Sequence, residues 1–242
     1  MPTSLFHLNI SKKIAEKYPK YDTPNFYIGT IAPDSVNLNG FAEKSLRWSA
    51  HKRAKDLEEW KNNIIDFYKK ELQNYPEDYL MGYVVHVLTD IIADQIYYKE
   101  GLYEDIVKNR TSEDEAFKFF KGQIEVYENS QLNEPWWIDV KSKLKNCKAY
   151  SINNLPKQDI LDWKNQIIGW YDERTFNNYD YITPDVLNLC VQKVLDVCHW
   201  GRGHLTFNFL LWQIKYLYWI QDTSLLFIKK LFTIVKYLVK IF

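Results

Sequence analysis

Within the stretch GYVVHVLTDIIADQ, residues 82–95, His86, Asp90 and Asp94 recur at intervals of four. On a helix such positions share one face, so the three polar groups form a stripe among valine, leucine and isoleucine side chains. An unpaired carboxylate buried in such company is costly, so these acids need partners. A cation is one candidate, because two ligands one helical turn apart can grip a single metal. The alternative is an ion pair with Lys52 or Arg53. Two further histidines sit in apolar or aromatic surroundings, His7 in SLFHLNI and His51 in LRWSAHKRA. Each is either a core histidine satisfied by hydrogen bonds or a ligand. Asp34 follows Pro33 in GTIAPDS and is either a turn or cap acid or an inward-facing ligand.

The order of these residues resembles that of the zinc-dependent phospholipase C family, whose wider relatives include the S1/P1-type nucleases. The matching stretches are FHL with His7, IGTIAPDS with Asp34, SAH with His51, and GYVVHVLTDIIAD with His86 and Asp90. The specific part of the resemblance covers roughly residues 1–100. It implies an all-α hydrolase, a single multi-helix domain of the phospholipase C / P1 nuclease type, that cleaves phosphate esters with a zinc cluster. Carried over by position, Asp34, His51, His86 and Asp90 would ligate one zinc. His7 would hold a second, with Asp90 bridging the two, and Asp34 would also orient or deprotonate a metal-bound water. Imidazole and carboxylate are suitable zinc donors. A mixed nitrogen and oxygen set also accepts iron or manganese.

The chain departs from that pattern in two places. No histidine occurs between His86 and His199, so a third metal site is absent or rebuilt, and Asp94 could supply part of it. His199 and His204, in CHWGRGH with Arg202 beside them, are distant candidates, or else ordinary residues around a helix-ending glycine. The family also uses its mature terminal amine as a ligand, which here would require removal of Met1 and approach of Pro2.

Positioning these residues takes helices. Only eight glycines and eight prolines occur in 242 residues, which argues for long helices over a strand-and-turn architecture. The pattern predicts helices over 4–18, 43–73, and from YPEDYL to near Gly101, with 26–40 irregular because Pro33 and Gly40 interrupt it. TSEDEAFKFFKGQIEVYENS, EPWWIDVKSKLKN, LPKQDILDWKNQIIGWYDE and TPDVLNLCVQKVLDVCHW read as further helices. No repeat or composition break appears, so residues 1–242 read as one all-α domain. Segment 205–242 is an apolar, cationic tail whose last part, 225–242, has the lysine spacing of an interfacial helix. That tail either contacts a membrane peripherally or packs on the core.

Formal charge is zero, which gives no reason to expect nucleic acid as an obligate partner. Three scattered cysteines make no disulfide framework, and the N-terminal stretch has no continuous apolar run, so the reading is cytoplasmic. The functional expectation is a zinc-dependent phosphoesterase, holding two zinc ions and acting on a phosphodiester, either phospholipid or nucleotide. The alternative is a non-catalytic metal-binding helical protein or a membrane-associated interaction module.

Overall fold

A computed structural model describes residues 3–95 and 128–173, with a few isolated positions between them. All of these belong to one unit, Met1–Val194. The predicted helix at 183–200, most of the one at 111–130, the stretch from 96 to Gly101, the CHWGRGH segment, the Pro2 amine and the 205–242 tail lie outside the described residues.

The described part is helical. Its elements are α1 (Ser4–Lys17), α2 (Pro24–Ile31), a 3-10 turn (Ala32–Asn37), α3 (Lys44–Ala50), α4 (Leu57–Glu71), α5 (Glu77–Asp94), α6 (Pro135–Lys145) and α7 (Lys157–Glu173). Among the described residues the only strand-like pairing is an isolated bridge between Ile152 and Leu155. An all-α reading therefore holds at the level of fold class. No helix among the described residues is long and apolar enough to cross a membrane.

Two expected boundaries are corrected. The segment expected to be irregular contains most of α2 and the whole 3-10 turn. Thr23 caps α2 by accepting from the Phe26 amide, and Pro24 occupies a first-turn position where its missing N–H costs nothing. Pro33 then lies in the tighter 3-10 turn that follows, rather than ending all helical structure. The helix expected over 43–73 is two helices, broken at His51–Asp56. Asp56 starts the second by accepting from the amides of Glu58 and Glu59, while Lys52 takes a left-handed φ of 53° at the break. A local cap therefore overrides the absence of proline and glycine.

The crossing of α2 and α5 positions the site. A Cβ added at Gly29 would lie 2.1 Å from the Tyr79 carbonyl oxygen, and one at Gly82 would lie 2.1 Å from the Phe26 carbonyl oxygen. The two helices therefore touch backbone to backbone, with one glycine contributed by each. A glycine inside a helix costs about 1 kcal/mol relative to alanine, and here the close approach requires it. Around it on the two helices, Phe26, Ile28, Ile31, Tyr79, Leu80 and Tyr83 are all fully buried.

The remaining helices tie the layer together. The Tyr171 hydroxyl on α7 accepts from the Leu5 amide at 3.3 Å and donates to Glu128 at 2.6 Å. On the outer face, Lys12 of α1 reaches Asp139 of α6 at 2.8 Å.

Candidate metal centre

Four elements deliver the polar residues to one buried point. His7 comes from α1, Asp34 from the 3-10 turn, His51 from the C-terminal end of α3, and His86 with Asp90 from successive turns of α5. Their relative exposures are 1%, 7%, 3%, 0% and 2%, so Asp34 is the member nearest solvent. Ligating atoms of His7, Asp34 and His86 lie within 4.8 Å of one another, as do those of His51, His86 and Asp90. The two triads share His86.

The histidines are oriented from behind. His86 Nδ1 lies 2.7 Å from the Thr30 carbonyl, and His51 Nδ1 lies 2.8 Å from the Arg47 carbonyl. A carbonyl can only accept, so each Nδ1 carries the hydrogen and each Nε2 is turned inward, unprotonated wherever the ring is neutral. Those two Nε2 atoms are 3.1 Å apart. Two lone pairs at that distance repel unless a proton or a metal cation lies between the rings.

The carboxylates surround the same point. Asp34 Oδ1 is 3.3 Å from His51 Nε2 and 3.9 Å from His86 Nε2. Asp90 faces both ways: its Oδ2 lies 3.5 Å from His51 and 3.6 Å from His86, while its Oδ1 lies 3.6 Å from His7 Nε2. His7 stacks on His86 with ring centroids 3.7 Å apart.

Hydrogen bonding leaves this cluster incomplete. Both ring nitrogens of His7 and Oδ1 of Asp90 are buried with no hydrogen-bond partner. Buried polar groups are nearly always satisfied, so three orphaned atoms in one cluster call for a ligand. Imidazole and carboxylate donors of this kind fit a divalent transition metal such as zinc, iron or manganese.

The electrostatics agree with that fit. Burial, reinforced by the neighbouring imidazoles, holds His7 and His86 well below the ordinary histidine range, so both are neutral and free to ligate. Burial pushes the Asp90 carboxyl up to about 7, against the pull of His51. Burial also opposes charge on His51, but Asp34 and Asp90 outweigh it and raise the ring. At Asp34 burial is outweighed by His86 and His51, which hold its carboxyl low. Of the three imidazoles, His51 is the one whose surroundings favour a proton.

Asp94 goes elsewhere. It forms an ion pair with Arg53, whose guanidinium also lies over the Trp60 ring at 4.5 Å. One turn of helix is enough to take Asp94 out of the cluster and give it an ordinary cationic partner. The expected pairing with Arg53 thus holds for the third member of the stripe, while the first two face the cluster. His199 and His204 lie outside the described residues.

Three supports were not read from the sequence. Gly29 and Gly82 let α2 approach α5 closely enough for the Thr30 carbonyl to reach His86. Asn153 donates to the Ser49 carbonyl at 2.8 Å and to the Tyr83 hydroxyl at 3.0 Å, pinning the end of α3 that carries His51. The signal for Asn153 was present: Asn-Asn between Ile152 and Leu155 is a tight-turn pattern, and both asparagines take positive φ. No protein-family model matches the chain, and no curated protein or solved structure gives a significant match to it.

Proposed function

We propose that this chain is a metal-dependent phosphoesterase whose centre is built from His7, Asp34, His51, His86 and Asp90, with zinc as the resident metal and a phosphodiester as substrate. The single observation that carries the reading is the pair of facing Nε2 atoms, 3.1 Å apart beside three buried, unpartnered polar atoms. The resemblance of residues 1–100 to the zinc-dependent phospholipases C supports the choice of phosphate ester over other substrates. A bound metal would polarise a phosphoryl oxygen and supply water of lowered pKa.

The chain's own groups do the rest. Thr30 and Arg47 fix the two imidazoles, so that the donor atoms need no reorganisation. Asp90 turns one oxygen toward His7 and the other toward His51 and His86, so it would be able to serve metal on both sides of the cluster. Asp34 is the most exposed member and carries a low carboxyl pKa, which suits it to orient a water arriving from solvent.

The near-complete burial of the other four favours a second reading, a closed structural metal site without catalysis, since catalytic sites keep one position open. One experiment separates them. Metal content by elemental mass spectrometry is measured on the full chain beside His86→Ala, with hydrolysis of bis(p-nitrophenyl) phosphate followed in parallel. About two equivalents of zinc together with hydrolysis, both lost in the variant, are expected for a two-metal site. Bound metal without turnover of any phosphate ester leaves the structural reading, and absence of metal removes both.

A further inference from the structure

The donors of the metal centre are not all held alike. His86 and His51 each commit Nδ1 to a backbone carbonyl, that of Thr30 at 2.7 Å and that of Arg47 at 2.8 Å. Such a bond fixes the plane of the ring and the direction of Nε2 before any ion arrives. His7 has no bond of this kind. Neither of its ring nitrogens has a hydrogen-bond partner, and its ring lies flat on His86, with centroids 3.7 Å and planes 11° apart. Stacking sets the plane of that ring but does not choose its orientation, because a half-turn about Cβ–Cγ keeps the stack and presents different atoms to Asp90. The helix beneath is anchored. One turn after His7, the Ser11 hydroxyl meets that of Thr30 at 2.8 Å, and Asn9 donates to Gln131 at 2.8 Å. Only the imidazole lacks support.

The donors are also divided unequally. With Nδ1 committed, His86 has one lone pair, at Nε2, so it can serve one ion although it belongs to both triads. His51 Nε2, 3.1 Å away, faces the same point. Asp34 Oδ1 lies 3.3 and 3.9 Å from these two nitrogens, and Asp90 Oδ2 lies 3.5 and 3.6 Å from them. Four donors are the full count of a tetrahedral site. Among the described residues, His7 and Asp90 Oδ1, 3.6 Å apart, remain for a second ion, with Asp34 close enough to lean to either side.

We infer that the centre loads in two unequal steps, a tight ion on Asp34, His51, His86 and Asp90 followed by a weak, exchangeable ion on His7 and Asp90. The inference rests on the metal-dependent reading above and adds a form of regulation to it, since the supply of free metal decides whether the chain carries one ion or two. The charge of the first ion opposes the second, and the single negative charge of Asp90 has to serve both.

The test is a zinc titration of the metal-free full chain against a competing chelator, read as equivalents bound with no substrate present. The wild type should show one tight equivalent and a second that is about 10–100-fold weaker, the usual cost of a ligating imidazole without its supporting hydrogen bond. That separation is read without any variant. His7→Phe keeps a ring on His86 and removes both donor nitrogens, so it should abolish the weaker step and leave the tighter one in place. His51→Gln should remove the tighter step. Circular dichroism and a thermal melt establish that both variants are folded. Two steps closer than about tenfold, or loss of the tighter step in a folded His7→Phe chain, would overturn the inference while leaving the metal centre standing. A single equivalent at saturating zinc would do the same. No bound zinc at all would remove the metal reading itself, and the inference with it.

Discussion

Gly82→Ala tests whether the backbone contact of α2 with α5 sets the geometry of the metal centre. The new methyl would sit 2.1 Å from the Phe26 carbonyl oxygen and 2.8 Å from the Thr30 amide nitrogen, where ordinary contact begins near 3.4 Å. Both atoms are backbone, so no rotamer relieves the clash, and the helices must part by about 1.3 Å. Overpacking of this kind costs about 1–3 kcal/mol. At about 2–4 °C per kcal/mol for a domain of this size, Tm should fall by roughly 2–12 °C. The same movement stretches the 2.7 Å contact of His86 Nδ1 with the Thr30 carbonyl beyond hydrogen-bonding range. It also draws Asp34, carried by the turn that follows α2, away from His86 and Asp90 on α5. Metal sites tolerate about 0.2 Å of ligand displacement, and lost support for a ligating histidine weakens binding about 10–100-fold. Zinc affinity by chelator competition, measured beside a thermal melt, checks both numbers. The control is Gly169→Ala on α7, where an added Cβ meets nothing within 4 Å. That variant should hold or gain about 0.5–1 kcal/mol, because alanine is the better helix former. Wild-type zinc affinity in Gly82→Ala would refute the reasoning even if Tm fell, because the clash would then have been absorbed away from the site.

Asp94→Asn should leave metal stoichiometry unchanged, since Asp94 pairs with Arg53, and should lower stability by about 1 kcal/mol in a thermal melt. A loss of one metal equivalent would return Asp94 to the ligand set. Asn153→Gly keeps the left-handed backbone but removes the amide that holds Ser49 and Tyr83, so zinc affinity should drop severalfold with little change in helix content by circular dichroism. Asn153→Ala should cost more in Tm than Asn153→Gly, because alanine resists a φ of 50°. Metal affinity should rise with pH. Asp90, at about 7, and His51, also raised, hold protons in the metal-free chain that binding must displace. His7 and His86, both lowered, stay neutral and add nothing in that range. Chelator competition at pH 6, 7 and 8 should show a gain of up to about tenfold per unit for each proton displaced, levelling off above Asp90's pKa. A flat profile would mean that neither group is a ligand.

The candidate site was legible in the sequence to the extent that its chemistry is local. His86 and Asp90 declare a shared face by their spacing alone, and an acid after Pro33 or a histidine in an apolar run is conspicuous as a type in the wrong company. What could not be read was which polar residue finds a partner outside the cluster. Asp94 continues the same stripe, but helix α5 carries it one turn further, to where Arg53 waits after the break in the chain at Lys52. That break was invisible to a rule that ends helices at proline or glycine, because here a side-chain cap, Asp56, starts a new helix instead.

The glycines show the same limit from the other direction. Gly29 lies in a segment whose sequence reads as irregular, and only the facing glycine on α5 turns it into a contact. Pair features of this kind have no signature in either segment alone. Yet the site depends on them more than on any single ligand. With larger residues at the crossing, the carbonyl that orients His86 and the turn that carries Asp34 would both stand too far from α5. The same five side chains, each still in its own helix or turn, would then surround no common point.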